Sequence, residues 1–199
     1  HDTLTGLPNR SHLLGRMGSA LARYRHDPHQ LFAVLFLDLD RFKVVNDSVG
    51  HLVGDELLKE AARRISRCVR DPDMVARLGG DEFAIVLDFI HAADDAVAVA
   101  ERVIRSLAEP IRIAGKELYT SASIGIALVD GRYRSPEELL RDADVAMYRA
   151  TANGRQRYSL FDEHLHDAAL KLLELEGDLR RALQRQEFEP FYQPIVSLA

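Results

Sequence analysis

The chain contains 199 residues, of which 47% are hydrophobic and 29% charged, and it carries a formal net charge of −5. This length holds one full domain and a fragment of a second, with the composition of a soluble protein. The acidic charge argues against a nucleic-acid partner, although a local cationic patch could still bind a mononucleotide. Cys68 is the only cysteine, no apolar run reaches membrane-spanning length, and no signal peptide is visible. We therefore expect a cytoplasmic domain cut from a larger protein, whose membrane attachment stays open.

The first 25 residues predict a turn-rich segment followed by a helix. Gly6 and Pro8 interrupt regular structure, and apolar residues then recur at helical spacing from about Ser11 to Arg25. Three polar residues of the opening segment are expected to fasten it to the domain rather than to take part in chemistry: Asp2, Asn9 and Arg10.

A continuous apolar run then ends in carboxylates. Residues 31–39 are apolar apart from Asp38, which is the pattern of a central strand covered on both faces. Residues 42–47 are expected to turn towards a helix that begins near Asp55. The strand thus ends in an Asp-x-Asp sequence, Asp38 to Asp40, at the point where it leaves the sheet.

A second acidic turn follows in Gly79-Gly80-Asp81-Glu82. Paired glycines between two apolar runs, Val75–Leu78 and Phe83–Leu87, predict a β-hairpin with carboxylates at its tip. Such a turn is often only a solvated loop. If the two strands lie side by side, however, Asp38 and Asp81 meet and form a two-carboxylate metal site suited to phosphoryl or nucleotidyl transfer.

The remaining segments complete an α+β pattern. A helix is predicted over Asp94–Leu107, a small hairpin around residues 114–116 and a strand over Thr120–Val129. Ser135-Pro136-Glu137-Glu138 has the signature of a helix start, and that helix runs towards Gly154. A long amphipathic helix is predicted over residues 161–186, before a short apolar segment at 187–199.

Five motifs occur in order along the chain, and together they resemble the GGDEF domain of diguanylate cyclases from the first residue to about Tyr158. They are Asp2-x-Leu4-Thr5-Gly6-Leu7-Pro8-Asn9-Arg10; Asp38 with Asn46 and Asp55; Gly79-Gly80-Asp81-Glu82-Phe83; Ala143-Asp144-x-Ala146-Met147-Tyr148; and Gly154-Arg155. The resemblance implies a GGDEF domain over residues 1–160 with the palm-like fold of nucleotidyl cyclases, a mostly antiparallel central sheet flanked by helices.

The resemblance also implies an activity, the condensation of two GTP into cyclic-di-GMP and pyrophosphate. Mg²⁺ or Mn²⁺ would be held by Asp38, Asp81 and the carbonyl of Leu39, with Asp81 and Glu82 as catalytic residues. Glu82 would assist deprotonation or position a second metal. Because one domain binds one GTP and the product contains two guanylates, catalysis should require a homodimer.

Residues on several elements are implied to bind the nucleotide. Phe42, Lys43 and Arg155 would contact its phosphates, and Gly79 with Gly80 would let it approach the backbone. Asn46 and Asp55 would read the guanine edge, whose N1–H and amine suit amide and carboxylate acceptors. Alternatively, Asn46 is a turn residue and Asp55 a first-turn acid favoured by the helix dipole.

Arg70 and Asp73 match the RxxD motif at which cyclic-di-GMP inhibits members of this family. A guanidinium can bind phosphate through two hydrogen bonds, and a carboxylate can pair with a guanine edge. The pattern alone is weak, because charged residues beside Pro72 are expected in any exposed turn. Its fixed distance from Gly79 favours the inhibitory product site.

Two features leave alternatives open. The family usually carries lysine where this chain has Thr151, which predicts a weak cyclase or, alternatively, a catalytically impaired GTP-binding module that regulates an attached EAL domain. A receptor for cyclic-di-GMP that uses Arg70 and Asp73 is a further alternative. Residues 187–199, with Tyr192-Gln193-Pro194-Ile195, resemble the first strand of an EAL phosphodiesterase domain, whose catalytic motifs lie beyond Ala199.

Overall fold

A computed structural model of the chain describes residues 1–113, 115–162, 181–183, 185 and 187. The chain divides into two compact units, His1–Asp162 and Glu163–Ala199. In the second unit residues 181–183 are helical, and the rest of the predicted connecting helix and EAL strand lies outside the described residues. Phe161 and Asp162 are not helical, and the Phe161 N–H donates to the Ile126 carbonyl at 2.7 Å just after the last strand. Among the described helices, none is long and apolar enough to cross a membrane.

The first unit contains five helices and seven strands among the described residues. In chain order they are α1 Arg10–His26, β1 Leu31–Leu39, α2 Phe42–Val49, α3 His51–Ser66, β2 Met74–Gly79, β3 Glu82–Ile90, α4 Ala93–Ala108, β4 Ile111–Ile113, β5 Lys116–Leu118, β6 Ala122–Leu128, α5 Pro136–Ala152 and β7 Arg157–Leu160. The main sheet has the order β2-β3-β1-β6-β7 and is antiparallel except for the parallel pair β6 and β7, while β4 and β5 form a separate hairpin.

Strand β1 lies at the centre because both of its faces are apolar. Alternate residues point to opposite sides of a strand, so its two faces enter two cores. Ala33, Leu35 and Leu37 pack with α3 and α4, whereas Phe32 and Val34 pack with α1 and α5. This confirms the predicted central strand and the α+β class.

Two helix starts are capped by side chains, Ser135 as the sequence predicted and Asn9 in a role that it did not. The Asn9 Oδ1 atom accepts a hydrogen bond from the His12 N–H at 3.1 Å, and the Ser135 Oγ atom accepts one from the Glu138 N–H at 3.3 Å, with Pro136 as the first helical residue. Side-chain oxygens at these positions satisfy N–H groups that have no partner within the helix.

The segment after β1 was wrongly predicted. Residues 42–47 form the first part of α2 rather than a turn, and α3 begins at His51, four residues before Asp55. Gly50, at φ 89°, separates the two helices and caps α2 through its N–H to the Asn46 carbonyl at 2.9 Å. A left-handed glycine allows this sharp change of direction.

Helix α5 lies directly against β6 at Gly125. A β-carbon there would come within 1.9 Å of the Ala143 carbonyl oxygen and 2.2 Å of the Met147 nitrogen. This close approach fixes the helix that leads into β7, a strand that the sequence did not predict.

Candidate active site

The two acidic strand ends meet as predicted. In the register of β1 and β3, Asp38 lies opposite Glu82, and the Leu39 N–H donates to the Asp81 carbonyl at 3.2 Å. Gly79 ends β2 and pairs with Glu82, so the turn of the hairpin consists of Gly80 and Asp81. Gly79 and Gly80 have φ of 147° and 53°, which glycine adopts readily. Three carboxylates therefore lie together, on the ends of two adjacent strands and on the turn beside them.

The charged form of Asp38 is disfavoured by its surroundings. Burial and, after it, the negative charges of Asp81, Asp40 and Glu82 together raise its pKa to about 7, opposed by Arg155. An unpaired carboxylate among like charges binds a proton or a cation more tightly than it would in water.

Glu82 belongs to a second part of the same cluster. Burial raises its pKa, followed by the charges of Asp144 and Asp81, while Arg10 lowers it. Loss of hydration also raises the pKa of Asp144, again opposed by Arg10. The sequence had assigned Arg10 a structural role and Asp144 none; their position beside Glu82 follows from the packing of α1 and α5 onto the sheet.

A divalent cation fits the donor atoms at this edge. Asp38 and Asp81 offer carboxylate oxygens and Leu39 offers a backbone carbonyl, which are the hard ligands that Mg²⁺ prefers. Within the described residues, no three side chains of His, Cys, Asp and Glu are placed to hold a metal by themselves. Two protein carboxylates completed by substrate phosphates are the arrangement that the predicted site requires.

Asp40 has a structural role that the sequence did not indicate. Its side chain is 5% exposed, and its carboxylate accepts hydrogen bonds from Ser121 Oγ at 2.5 Å, Ser123 Oγ at 2.7 Å and the Gln156 N–H at 3.1 Å. It thereby joins the end of β1 to the start of β6 and to the turn after α5.

Arg77 fixes the glycine turn. Its Nε and Nη2 atoms donate to the Gly80 carbonyl at 3.1 and 2.7 Å, and its Nη1 atom donates to both Asp2 carboxylate oxygens at 3.0 and 3.1 Å. Asp2 also accepts from the Thr5 N–H at 2.8 Å. The expected fastening role of Asp2 is confirmed, and its partner is the arginine just before the turn.

The predicted guanine-reading residues lie on α2 and α3. The Asn46 Oδ1 atom is buried and has no hydrogen-bond partner among the described residues. A β-carbon at Gly54 would lie 1.8 Å from this atom, so only glycine leaves it in place. Asp55 follows Gly54 on the same turn of α3. A buried, unpaired acceptor is costly unless a ligand donates to it.

The two predicted phosphate contacts at the start of α2 differ in character. The Phe42 side chain is 8% exposed and packs in the core, so a phosphate contact there must use its backbone N–H in the first helical turn. Lys43 is exposed.

Arg155 lies close enough to Asp38 to lower the pKa of that carboxyl group. Thr151, in contrast, makes its hydrogen bond within its own helix. The Thr151 hydroxyl donates to the Met147 carbonyl of its own helix at 3.2 Å. Position 151 therefore offers no cation.

Arg70 and Asp73 form a separate region in the turn before β2. Together with Asp95 and Arg102 they line a cavity of about 250 Å³ beside α4. Both Asp73 oxygens are already engaged, by the Arg70 N–H at 3.2 Å and the Asp88 N–H at 3.1 Å.

Comparison with known proteins agrees with this geometry. A family model for the diguanylate cyclase GGDEF domain matches residues 1–157. The chain belongs to the GGDEF diguanylate cyclase family. This confirms the resemblance inferred from the motifs, and GGDEF domains use a divalent metal.

Named members of the GGDEF family are similar over most of the chain. The bifunctional diguanylate cyclase/cyclic di-GMP phosphodiesterase MucR of Pseudomonas aeruginosa is 45% identical over 196 residues, covering 98% of this chain and 28% of MucR. Diguanylate cyclase TpbB of the same species is 46% identical over 156 residues, covering 78% of this chain and 36% of TpbB. The chain thus spans only about a third or less of these relatives.

A solved structure that comprises only the GGDEF domain of TpbB superposes with a TM-score of 0.82. It is 42% identical in sequence and covers 85% of this chain and 99% of that domain. The palm-like nucleotidyl cyclase fold predicted from the motifs is therefore confirmed.

Proposed function

We propose that this domain condenses two GTP molecules into cyclic-di-GMP with release of two pyrophosphates, using Mg²⁺ or Mn²⁺. The observation that carries the proposal is the group of Asp38, Asp81 and Glu82 at one edge of the sheet, with the charged form of Asp38 disfavoured by its neighbours. Such a group is stabilised by a divalent cation, and the glycine turn beside it leaves the backbone open to a nucleotide.

Guanine recognition is supported by Asn46 and Asp55. The unpaired Asn46 oxygen can accept a hydrogen bond from a guanine N–H, and the Asp55 carboxylate can accept another. Adenine presents a different pattern of donors and acceptors on this edge, so binding it would leave the buried oxygen unpaired at a cost of roughly 1–3 kcal/mol.

The reaction joins the 3′-oxygen of one GTP to the α-phosphorus of the other and breaks the bond to pyrophosphate. Asp38, Asp81 and the Leu39 carbonyl would hold the metal, which would supply Lewis-acid polarisation of the α-phosphate and offset charge on the leaving group. Glu82 is placed to accept the hydroxyl proton, since its raised pKa makes it a stronger base. Two domains must face each other, so the active species is a homodimer.

Weak rather than absent turnover follows from position 151. A charge-assisted hydrogen bond to phosphate contributes roughly 1.5–3 kcal/mol, or about one to two decades in affinity or rate. The carboxylates and Arg155 remain, so the loss of one cation should reduce activity without abolishing it.

Product inhibition at Arg70 and Asp73 is a second part of the proposal. The cavity beside α4 presents the exposed Arg70 side chain to a phosphate. Because each carboxylate oxygen can accept more than one hydrogen bond, Asp73 can bind a guanine edge while it holds the turn.

A GTP-binding module that regulates an EAL domain in cis is the alternative function. The uncharged Thr151 favours it, and so does the resemblance of residues 187–199 to the start of an EAL domain. On either reading we propose a cytoplasmic domain within a longer signalling protein.

The deciding experiment is chromatography of the products after the concentrated protein is incubated with GTP and Mg²⁺. We expect cyclic-di-GMP at a rate that rises with the square of protein concentration, and none from Asp81→Asn. Asp94→Asn, the same change on an exposed acid of α4, should leave the rate unaltered. GTP binding by a dimeric protein without product would favour the regulatory module. Product formation by Asp81→Asn would overturn the metal assignment.

A further inference from the structure

The turn that carries Arg70 and Asp73 is also held from outside, by a side chain of α1. Within the turn, the Asp73 N–H donates to the Arg70 carbonyl at 2.7 Å and the Arg70 N–H donates to the Asp73 carboxylate at 3.2 Å. The Arg16 Nη2 atom donates to the carbonyl of Pro72, which lies between these two residues, at 2.8 Å. Helix α1 is thereby joined to a turn 56 positions along the chain, by a contact that the proposed reaction does not use.

Arg16 also ties this turn to β3 through Asp88. The Asp88 side chain has no exposed surface, and its carboxylate forms an ion pair with the Arg16 Nη2 atom. The backbone N–H of Asp88 donates in turn to the Asp73 Oδ1 atom at 3.1 Å. Two successive residues of the turn, Pro72 and Asp73, are therefore held against α1 and β3. Contacts to a buried charge fix a backbone more firmly than hydrogen bonds in open solvent.

The opposite wall of the cavity at Arg70 and Asp73 is fixed independently. The Arg102 side chain of α4 lines this cavity, and its Nε and Nη2 atoms donate to the Cys68 carbonyl at 2.9 and 2.6 Å. The turn, in contrast, is exposed at Arg70 and Pro72, and exposed connections are the more mobile parts of a fold. A ligand that contacts both walls binds more tightly when the turn is already ordered, because ordering it on binding costs affinity.

We propose that Arg16 is a positioning residue for the site at Arg70 and Asp73. It holds the Pro72 backbone so that the two side chains keep the spacing that the bound product requires. It acts without touching the ligand, because neither Arg16 nor Asp88 lines the cavity. The inference rests on the product-inhibition part of the proposed function. It makes the affinity for cyclic-di-GMP depend on the position of α1 against the turn, while GTP binding does not depend on Arg16.

The test is calorimetric titration with cyclic-di-GMP, and with a non-cleavable GTP analogue that carries an α,β-methylene bridge, in Mg²⁺. Arg16→Ala should raise the dissociation constant of cyclic-di-GMP about tenfold, the effect of one charge-assisted hydrogen bond, and change that of the analogue less than about twofold. Arg16→Lys keeps a cationic donor beside Pro72 and Asp88 and should recover part of the affinity. Arg25→Ala is the matched control, because Arg25 of the same helix donates to a different loop carbonyl, that of Arg134, at 2.7 Å. It should bind both ligands normally.

The outcomes separate the inference from the function on which it rests. If the unaltered protein does not bind cyclic-di-GMP, or if Arg70→Ala binds it as tightly, the product site of the proposed function is wrong. If Arg70→Ala loses binding and Arg16→Ala keeps the affinity of the unaltered protein, the assignment of Arg16 is overturned while the product site stands. A loss of the same size for both ligands in Arg16→Ala would show general damage to the fold and would also overturn the assignment.

Discussion

Each end of the antiparallel pair β1 and β3 carries an aspartate, but the charges around the two carboxylates are opposite in sign. At one end Asp88 has no exposed side-chain surface and forms ion pairs with Arg16 and Arg23, which lie two turns apart on α1. At the other end Asp38 is surrounded by further acids, with Arg155 as the cation that opposes their effect on its pKa.

The difference separates a carboxylate that stabilises the fold from one that we propose binds a metal. Asp88 is neutralised within the fold and joins α1 to the sheet, so its partners are already present. Asp38 is left with an excess of negative charge, which the folded domain tolerates at some cost in stability. A carboxylate in the second situation is suited to a cation that arrives with the substrate.

The largest effect is expected at the structural end. Asp88→Ala leaves two partly buried arginines without their partner, and breaking a buried ion pair costs about 3–5 kcal/mol. Urea unfolding should show a lower midpoint with an unchanged slope. Asp94→Ala is the control, and a loss below about 1 kcal/mol in Asp88→Ala would mean that the two ends do not differ as described.

The next effect tests the proposed contact between Asn46 and guanine. Gly54→Ala would place a β-carbon 1.8 Å from the Asn46 Oδ1 atom and must displace it. We expect GTP binding to weaken by about 30- to 100-fold, the loss of a buried hydrogen bond, with ATP binding little changed. Gly15→Ala in α1 meets nothing within 4 Å and should leave GTP affinity as it is.

A smaller effect is expected for the arginine that holds the glycine turn. Arg77→Ala removes the donors to the Gly80 carbonyl and to Asp2, and we expect kcat to fall about tenfold with a lesser change in KM. Arg77→Lys should recover only part of the rate, because lysine lacks the forked geometry. If Asp2→Asn lowers kcat by a similar factor and the double variant is no worse, the two residues act as one unit.

The smallest effect concerns stability at the functional end. Asp38→Asn should raise the unfolding free energy of the metal-free protein by about 1 kcal/mol. This value is smaller than the pKa shift alone implies, because solvent screens the charge of a half-buried group. The folded pKa of about 7 exceeds the unfolded value of 3.8, so the proton favours folding. The stability that it provides is full below pH 4 and is lost as the pH rises through 7, and the advantage of Asn should grow over that range.

Thermal melts in EDTA at pH 4.5 and 7.5 measure this difference. Added Mg²⁺ and GTP should reverse the order at pH 7.5, because they stabilise only the protein that keeps its carboxylate. An Asn variant less stable than the parent at both pH values would show that Asp38 is already neutralised, like Asp88.

The sequence predicted elements whose pattern is local. The apolar run of β1, the glycine turn and the Ser135 cap each depend on a few neighbouring residues. Helix α2 was missed because Asn46, Asp47 and Ser48 have low helix propensity and the helix depends on its packing against α3. Strand β7 was missed because its four residues are ordered by pairing with β6, a contact that α5 creates.

The same limit applies to the site. The proximity of Asp38, Asp81 and Glu82 could be predicted because acids at strand ends form a visible motif. Asp40 and Arg77 act through hydrogen bonds to residues about 80 and 75 positions away, which no local pattern reports. A signal for Asp88 was present in the seven-residue spacing of Arg16 and Arg23, which places both on one face of α1.

Because Arg77 contacts both Asp2 and Gly80, a probe attached to the first turn of the chain would report on the glycine turn. Thr3 is exposed and adjoins Asp2, so a fluorine or spin label attached there through an introduced cysteine would sit one side chain away from the glycine turn. Because Cys68 is buried, labelling at position 3 would be selective. If the nucleotide binds at Gly80 as proposed, the label would detect its arrival without touching it.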